Sequence, residues 1–460
     1  MPTSPRPATI RAAHVLRDPR TWALPTAVIG VVAMLLSVLY MGGILNPQAD
    51  LAHLPVALVS SDEGADVAGT RMNVGEQVVQ AVQAAPGDAI DWRVMSAEQA
   101  RQALARDEVF GALEVPAGFT AALGALDGAA TGDAAQRPTI SVLTNQGAGS
   151  LGSSFASTAA QAAAHEASAQ IGKQLTAQAT AQATELAASQ AAGQAAAPGP
   201  AQTSVAAALL LADPVAVVVS PGHALGAHSG AGLSAFYFTL LLVLAGFIGA
   251  TVVSTTVDGA LGYADAEYGP FHTRRAAAPI SRAQTFLAKA GISVALALVT
   301  SAIVMFATIT LLGMDAGHLP LLYAFSVCAS ASVALGVHAI NTVFGGLGQL
   351  VSMFVFIVLA LPSSGATVPL HALPSFYRFL STFEPMRQLS DGVRSILYFD
   401  AQATGALSRA WSMIALGAVL AVVVGVLAAR FYDRRGLRRL GHPSAATAGI
   451  SAREVAAAAA

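Results

Sequence analysis

The chain has 460 residues, of which 54% are hydrophobic and only 11% charged, and its formal net charge is −2. Soluble domains carry about 25% charged residues, so this composition excludes an ordinary soluble protein and indicates a membrane protein. The single cysteine, Cys328, excludes an intrachain disulfide, and the absence of GxxxxGK, HExxH and CxxC motifs argues against an enzyme and against a bound cofactor or metal.

The chain begins with an arginine-containing segment, residues 1–21, followed by an apolar stretch at Trp22–Leu45. This stretch has the roughly 20 apolar residues that a membrane-spanning helix requires. A cleaved signal peptide is the alternative, but its apolar core is about 7–15 residues long and ends at a small-residue site that is absent here. We therefore expect an anchoring first span.

Residues 46–232 separate the first apolar stretch from the second and predict a mixed α/β domain, because short β-rich runs alternate with a helix. Ser96 and Gln99 have the spacing of a capping box at the start of that helix, Ala97–Ala105. The predicted strands are Pro55–Ser60, Ile90–Val94, Val109–Val115, Thr139–Thr144 and Pro214–Val219.

Within this domain, residues 153–197 are a low-complexity run of Ala, Gln, Ser and Thr without proline. Alanine and glutamine favour helix, so we predict one long helix or a helical hairpin. The scarcity of large apolar side chains allows close packing against another helix, including one from a second copy of the chain. A flexible spacer is the alternative.

Five further apolar stretches lie between residues 233 and 431, which predicts a membrane domain and six spans in total. They are Leu233–Val257, Phe286–Leu312, Leu321–Ile340, Gly348–Ala366 and Ala410–Phe431. The stretch at Leu321–Ile340 is the weakest, because it is rich in serine and alanine and contains His338. Nearly no charge falls inside the stretches, and His338 alone is polar enough to suggest a proton relay, which argues against an ion-coupled transporter.

Arginines cluster in three segments, and the positive-inside rule assigns all three to the cytoplasm. Six spans also place both termini on one side, so we predict a multi-pass protein of the cytoplasmic membrane, with residues 46–232 outside and a basic tail, residues 432–460, inside. The arginines are Arg6, Arg11, Arg17 and Arg20; Arg274, Arg275 and Arg282; and Arg430, Arg434, Arg435, Arg438 and Arg439.

The cytoplasmic loop between the second and third spans contains Pro279 and Ser281. Proline disfavours helix in its predecessor and Ser281 can cap a helix, so we expect one helix to end near Ala277 and another to begin after Ser281. Arg274 and Arg275 either bind anionic lipid headgroups or dock a partner.

The segment Glu384–Tyr398 predicts an amphipathic helix on the outer surface. Glu384, Arg387, Asp391 and Arg394 give one face of alternating charge, while leucine, valine and isoleucine give an apolar face. Such a helix is either a lid that closes the bundle or a gate that contacts a substrate.

The outer domain resembles the YhgE/Pip family. The resemblance lies in LPVALVSSDEG at residues 54–64, in NVGEQVV at residues 73–79, and in FGALEVPAGF at residues 110–119 after a short helix. In that family a strand and turn precede a helix, and a second helix and strand lead to a proline-containing turn.

The membrane half resembles the type-2 ABC exporter permeases, to which that family is related. The first motif comprises Glu267, Gly269, Pro279, Ser281 and Arg282, and in the permeases this loop forms a cytoplasmic coupling helix against the ATPase. Here Pro270 replaces the usual threonine, and Arg274–Ala276 replaces a pair of leucines. The second motif precedes the last span and includes Glu384, Pro385, Asp391, Gly392 and Arg394.

The resemblance implies a permease-like subunit that exports a substrate with an ATPase supplied by a separate chain. It implies membrane lipids, a second copy of the chain and that ATPase as partners, and no nucleic acid. The alternative is a non-transporting envelope protein, either a phage-adsorption site or an accessory of a secretion machine. The sequence does not name a substrate.

Overall fold

The computed structural model describes residues 19–42, 45–67, 70–128, 137–191, 212–268, 271–273 and 275–437. These residues form a mixed α/β domain and a bundle of long apolar helices. The helix α1 (Pro19–Gly42) precedes the α/β domain in the chain, and the remaining long helices follow it.

The α/β domain is built on a five-stranded mixed sheet with the strand order β4-β1-β5-β6-β7. Strand β1 is parallel to both β4 and β5, β6 is antiparallel to β5, and β7 is parallel to β6. The strands are β1 (Leu54–Ser60), β4 (Ile90–Val94), β5 (Gly111–Val115), β6 (Thr139–Thr144) and β7 (Ala216–Pro221), and β2 (Ala65–Val67) and β3 (Thr70–Met72) form a separate hairpin. The predicted mixed α/β architecture is confirmed.

Helices cover both faces of the sheet, which explains why β1 is buried along almost its whole length. Leu58 points into the core under α2 (Val74–Ala84), α4 (Phe119–Gly128) and α5 (Ser150–Ala191). Its neighbours Ala57 and Val59 point to the opposite face, under α3 (Ala97–Ala105). This alternation follows from the two-residue period of a strand.

The Ala-rich segment is one 42-residue helix, α5 (Ser150–Ala191), three residues earlier at its start than predicted. A stripe of small residues on its first half is buried against the sheet: Ala156, Ala160, Ala164 and Ala167, followed by Ile171. The described side chains beyond Leu175 are exposed. The end of the predicted helix, residues 192–197, lies outside the described residues.

Four helical stretches in the described part of the chain are long and apolar enough to cross a membrane by length and composition. They are α6 (Ser234–Ala260), α7 (Arg282–Met305, continuing as π-helix to Leu311), the stretch Leu319–Val358, and α13 (Thr404–Arg434). The run Ile29–Gly42 of α1 is apolar as well.

The stretch Leu319–Val358 reverses direction at Gly345, whose φ is +57°. A Cβ added to Gly348 would lie 2.5 Å from Asn341 Cα, and one added to Gly336 would lie 2.6 Å from Phe356 Cζ. Gly336 and Phe356 are 20 positions apart and would be about 30 Å apart in a straight helix. Their contact therefore requires that the stretch consists of two antiparallel arms. They are α8 (Leu319–Phe344), and α9 (Gly348–Met353) with its π-helical continuation and α10 (Ala360–Ser363).

The reversal gives the bundle two distinct ends. At one end the connection from the α/β domain to α6 contacts the loop after α7, where His228 N–H donates to Asp315 at 2.7 Å, and His318 pairs with Asp400 at 2.8 Å. At the other end Arg282 N–H donates to Asp433 at 3.1 Å, and Tyr432 donates to the Val343 carbonyl at 2.9 Å. We call these the domain end and the distal end.

Candidate functional site

The segment predicted as an outer amphipathic helix is α12 (Pro385–Tyr398). Its N-cap is Glu384, whose carboxylate accepts hydrogen bonds from the backbone N–H groups of Met386 at 2.8 Å and Arg387 at 2.9 Å, and Pro385 occupies the first helical position. A proline there costs no hydrogen bond, because the first N–H groups of a helix have no partner within it.

Helix α12 is buried along most of its length. The helix lies between the α/β domain, α6 and α13, and Glu384 and Arg394 are only 3% and 8% exposed. The alternating charges that suggest a water-facing side instead pair with each other and with the domain. Gly392 permits the close approach, since a Cβ there would lie 2.4 Å from Phe325 and 2.8 Å from the Ala410 Cβ.

Arg394 joins the membrane helices to the α/β domain. Its guanidinium donates to both carboxylate oxygens of Asp107 at 3.2 Å and to the carbonyl of Gly147 at 3.0 Å. Asp391 lies between Arg394, at 3.8 Å, and Arg387, at 3.6 Å. We call Asp107, Arg387, Asp391 and Arg394 the domain clamp.

The carboxyl groups of this region titrate abnormally because they are buried. Burial raises the pKa of Asp107 to about 6 although Arg394 opposes the shift, and it raises the pKa of Asp391 against the pull of Arg394 and Arg387. Burial also raises the pKa of Glu384 to about 8, despite its two N–H bonds.

A second contact joins the end of α12 to the domain and to the start of α6. The Tyr398 hydroxyl lies 2.8 Å from Ser234 Oγ and accepts a hydrogen bond from Ala235 N–H at 2.9 Å. The Tyr398 carbonyl lies 2.6 Å from His223 Nε2, and the His223 ring stacks on Phe399.

The predicted coupling loop lies at the distal end, away from the domain clamp. Its described part is a short hairpin, β8 (Ala266–Tyr268) and β9 (Phe271–Thr273), in which Glu267 pairs with His272. Gly269 and Arg274 lie outside the described residues. The expected helix ending near Ala277 is absent from the described loop, because residues 275–281 are non-helical around the exposed Pro279.

Ser281 caps α7 as predicted, since its hydroxyl accepts a hydrogen bond from Gln284 N–H at 3.2 Å. Arg282 ties α7 to α13: its Nε donates to the Leu437 carbonyl at 2.9 Å, and its guanidinium lies 5.4 Å from the Tyr432 ring centre. Both residues therefore organise the distal end of the bundle.

A polar cavity of about 600 Å³ opens at the distal end between α6, α7, α8 and α9. Lys289 Nζ lies 2.9 Å from Asp258 Oδ2 on its wall, with both side chains at least 80% buried. His338 binds Ser254 at 3.3 Å and Ser293 at 2.8 Å. Asp258 and Lys289 converge beside His338 from two helix ends, so the cavity brings together three titratable side chains that are far apart in the sequence.

An apolar cavity of about 530 Å³ lies on the other side of α8, between α8, Phe356 and α13. The start of α12 closes its domain end through Pro385, Gln388 and Leu389. We call it the apolar cavity. The helix that closes it is therefore the same helix that carries Arg394.

Sequence reasoning identified the residues on α12 and missed Asp107, Asp258 and Lys289. Asp107 follows a helix, and its positive φ of +60° is the local backbone feature that distinguishes it from its neighbours. Asp258 and Lys289 look like ordinary charges at helix ends until their helices are packed together. Among the described residues no group of three His, Cys, Asp or Glu side chains is placed to hold a metal ion.

The long apolar helices and the inserted sheet domain define a multi-pass membrane protein. The chain belongs to the family described as a protein of unknown function (DUF3533), whose model matches residues 26–423. No curated protein and no solved structure matches the chain.

Proposed function

We propose that this chain is the membrane subunit of an exporter, driven by an ATPase that a separate chain supplies. The observation that carries the proposal is the apolar cavity of about 530 Å³, whose volume lies within the range of about 300–1,000 Å³ of small-molecule sites. Its closing helix, α12, is fixed to the α/β domain by the domain clamp. A movement of either part is thereby transmitted to the cavity wall.

The proposal includes six spans, with α1 as the first, both termini in the cytoplasm and the α/β domain outside. The reversal at Gly345 supports two spans in the stretch Leu319–Val358. Five arginines of the predicted cytoplasmic segments belong to the distal end, as the positive-inside rule requires of a cytoplasmic face. They are Arg275, Arg282, Arg430, Arg434 and Arg435.

The proposed relation to the YhgE/Pip family and to the type-2 ABC exporter permeases rests on the motifs quoted above. In this chain the motif loop is a hairpin beside the start of α7, so we propose the hairpin face, rather than a coupling helix, as the ATPase contact. Arg282 supports this contact indirectly, because its hydrogen bonds hold the start of α7 against the end of α13.

Co-purification tests the proposal. The full chain, extracted in mild detergent, is expected to retain a stoichiometric ATPase, and Glu267→Lys at the hairpin is expected to lose it. Glu108→Lys makes the same change at an exposed position of the α/β domain and is expected to retain the ATPase.

Absence of any ATPase, under conditions that retain a known permease–ATPase pair, contradicts the exporter proposal. That outcome favours a non-transporting envelope protein whose function is carried by the α/β domain.

A further inference from the structure

The lining of the apolar cavity offers almost no polar group to a ligand. Of its lining side chains only Ser332 and Gln388 are polar, and the Ser332 hydroxyl already donates to the Ile414 carbonyl at 3.3 Å. A charged or strongly hydrated molecule loses its hydration in such a site without gaining partners. The lining therefore favours a hydrocarbon ligand over a charged or strongly hydrated one.

The cavity is long and narrow. Its wall on α8 runs from Ala329 to Phe344, about 22 Å of helix at 1.5 Å per residue. Dividing the volume of about 530 Å³ by this length gives a mean cross-section of about 24 Å². This shape fits an extended chain better than a compact ring system.

The cavity opens sideways, toward the surface that the helices present to a bilayer. Phe344 on α8 and Leu416 and Leu420 on α13 belong to its lining and are 52%, 59% and 58% exposed. Both helices belong to stretches long and apolar enough to span a membrane. In a bilayer this opening would face lipid acyl chains.

Gln388 marks the domain end of the cavity and is itself 3% exposed. Its Nε2 donates to the carbonyls of Ser381 at 3.3 Å and Thr382 at 3.4 Å. Its Oε1 is buried without a hydrogen-bond partner in the described part of the chain. This oxygen has almost no accessible surface, so Gln388 closes the domain end of the cavity without offering it a polar group.

We propose that the apolar cavity binds a membrane lipid, with one acyl chain lying along α8 and α13. The assignment of this lipid as the exported substrate rests on the proposed export function. The existence of the lipid site does not depend on that function. The chain enters through the lateral opening, and the head region lies below α12, the helix held by the domain clamp.

Photolabelling of the full chain tests the site. The probe is a phosphatidylethanolamine with a photoreactive group at the end of one acyl chain, in vesicles of phosphatidylethanolamine and phosphatidylglycerol. We expect the label on lining residues of α8 and α13, and an at least fivefold loss in Gly417→Leu. Gly417 lines the cavity, and a Cβ there meets only Ser332 Oγ, at 3.3 Å.

Gly291→Leu is the matched control, because Gly291 is an exposed glycine inside α7 where an added Cβ meets nothing within 4 Å. Its labelling of the lining is expected to equal that of the unaltered chain.

Equal labelling of the lining and of the exposed face of α7, or labelling unchanged by Gly417→Leu, overturns the lipid site. A crosslinked dimer that covers the lateral opening and blocks labelling overturns it in favour of a second copy of the chain. Labelling without a co-purifying ATPase keeps the lipid site and contradicts only the exporter proposal. An ATPase without labelling contradicts only the lipid site.

Discussion

Arg394 shows how a single side chain determines the joint between the two parts of the molecule. It binds the Asp107 carboxylate and the Gly147 carbonyl at the same time, and it is 8% exposed. A buried charge pair gives little net stability when intact, but removal of one partner is costly, because the other charge stays buried and unpaired.

We expect Arg394→Met to destabilise the protein by about 3–5 kcal/mol and to loosen the α/β domain from the bundle. Arg101→Met, at an exposed ion pair with Glu98, is expected to change stability by less than about 1 kcal/mol. Thermal unfolding in detergent, with limited proteolysis between domain and bundle, measures both. Equal thermal midpoints for the two variants would show that the domain clamp is not a structural joint.

Glu384 gives a pH dependence with a definite sign. Its pKa rises from 4.5 in the unfolded chain to about 8 in the folded protein, so its contribution to stability is fully present below pH 4.5 and is lost as the pH rises through 8. We expect the thermal midpoint to fall progressively from about pH 4.5 to about pH 8 and to level off above it, and we expect Glu384→Gln to remove this fall.

Asp107→Asn is the control for the pH dependence of Glu384. The pKa of Asp107 rises from 3.8 to about 6, so Asn at this position is expected to remove only a part of the fall that ends near pH 6 and to leave the fall between pH 6 and pH 8. A fall between pH 6 and pH 8 that persists in Glu384→Gln assigns the titration to another group.

Asp62 explains why the first motif of the α/β domain has its particular residues. Its carboxylate accepts N–H bonds from Gly75 and Thr120, both at 3.1 Å, as well as a bond from the Thr120 hydroxyl. Burial works to raise the pKa of Asp62, but these hydrogen bonds outweigh burial and lower it. The sequence predicts the turn after β1, whereas the meeting of α2 and α4 at Asp62 requires the fold.

At the scale of elements, glycine determines how closely α12 approaches its neighbours. Gly392 packs against Phe325 on α8 and Ala410 on α13. We expect Gly392→Val to destabilise the protein by at least about 1–3 kcal/mol through overpacking. Gly405→Val, where a Cβ meets nothing within 4 Å near the start of α13, is expected to cost about 1 kcal/mol or less. Similar thermal midpoints would contradict this packing.

The ion pair between α6 and α7 belongs to the same scale. Charged side chains inside membrane segments face cavities and pair with each other, as Asp258 and Lys289 do. We expect Lys289→Met to lower the thermal midpoint, because it leaves Asp258 buried without that partner, and Asp258→Asn/Lys289→Met to restore most of the loss. Additive losses in the double variant would show that the two charges are not coupled.

At the scale of the whole molecule, the reversal at Gly345 decides how many times the chain crosses the membrane. In a Cys328→Ser background, single cysteines at Gly346 and Arg435 are expected to react with an impermeant thiol reagent only from the cytoplasmic side. Cysteines at Asp315 and Ala401 are expected to react only from the outer side. Reaction of the Gly346 cysteine from the outer side contradicts the six-span arrangement.

Local patterns predicted several elements with their limits. The helix Ala97–Ala105 has both hydrogen bonds of the predicted capping box, and the strands Ile90–Val94 and Thr139–Thr144 have the predicted ends. Ser281 caps α7 as expected. These features depend on residues within a few positions of each other, where caps, alternation and turn residues act directly on the backbone.

The sequence by itself determined the apolar helices, the order of the α/β elements and the charge asymmetry, because these follow from composition and short-range periodicity. Only the tertiary structure decided that α12 is buried, that Asp258 meets Lys289, and that α8 and α9 fold back on each other around an apolar cavity. A helix face of alternating charges is equally compatible with exposure to solvent and with burial in a set of ion pairs. The choice depends on partners such as Asp107, 287 positions from Arg394 in the chain.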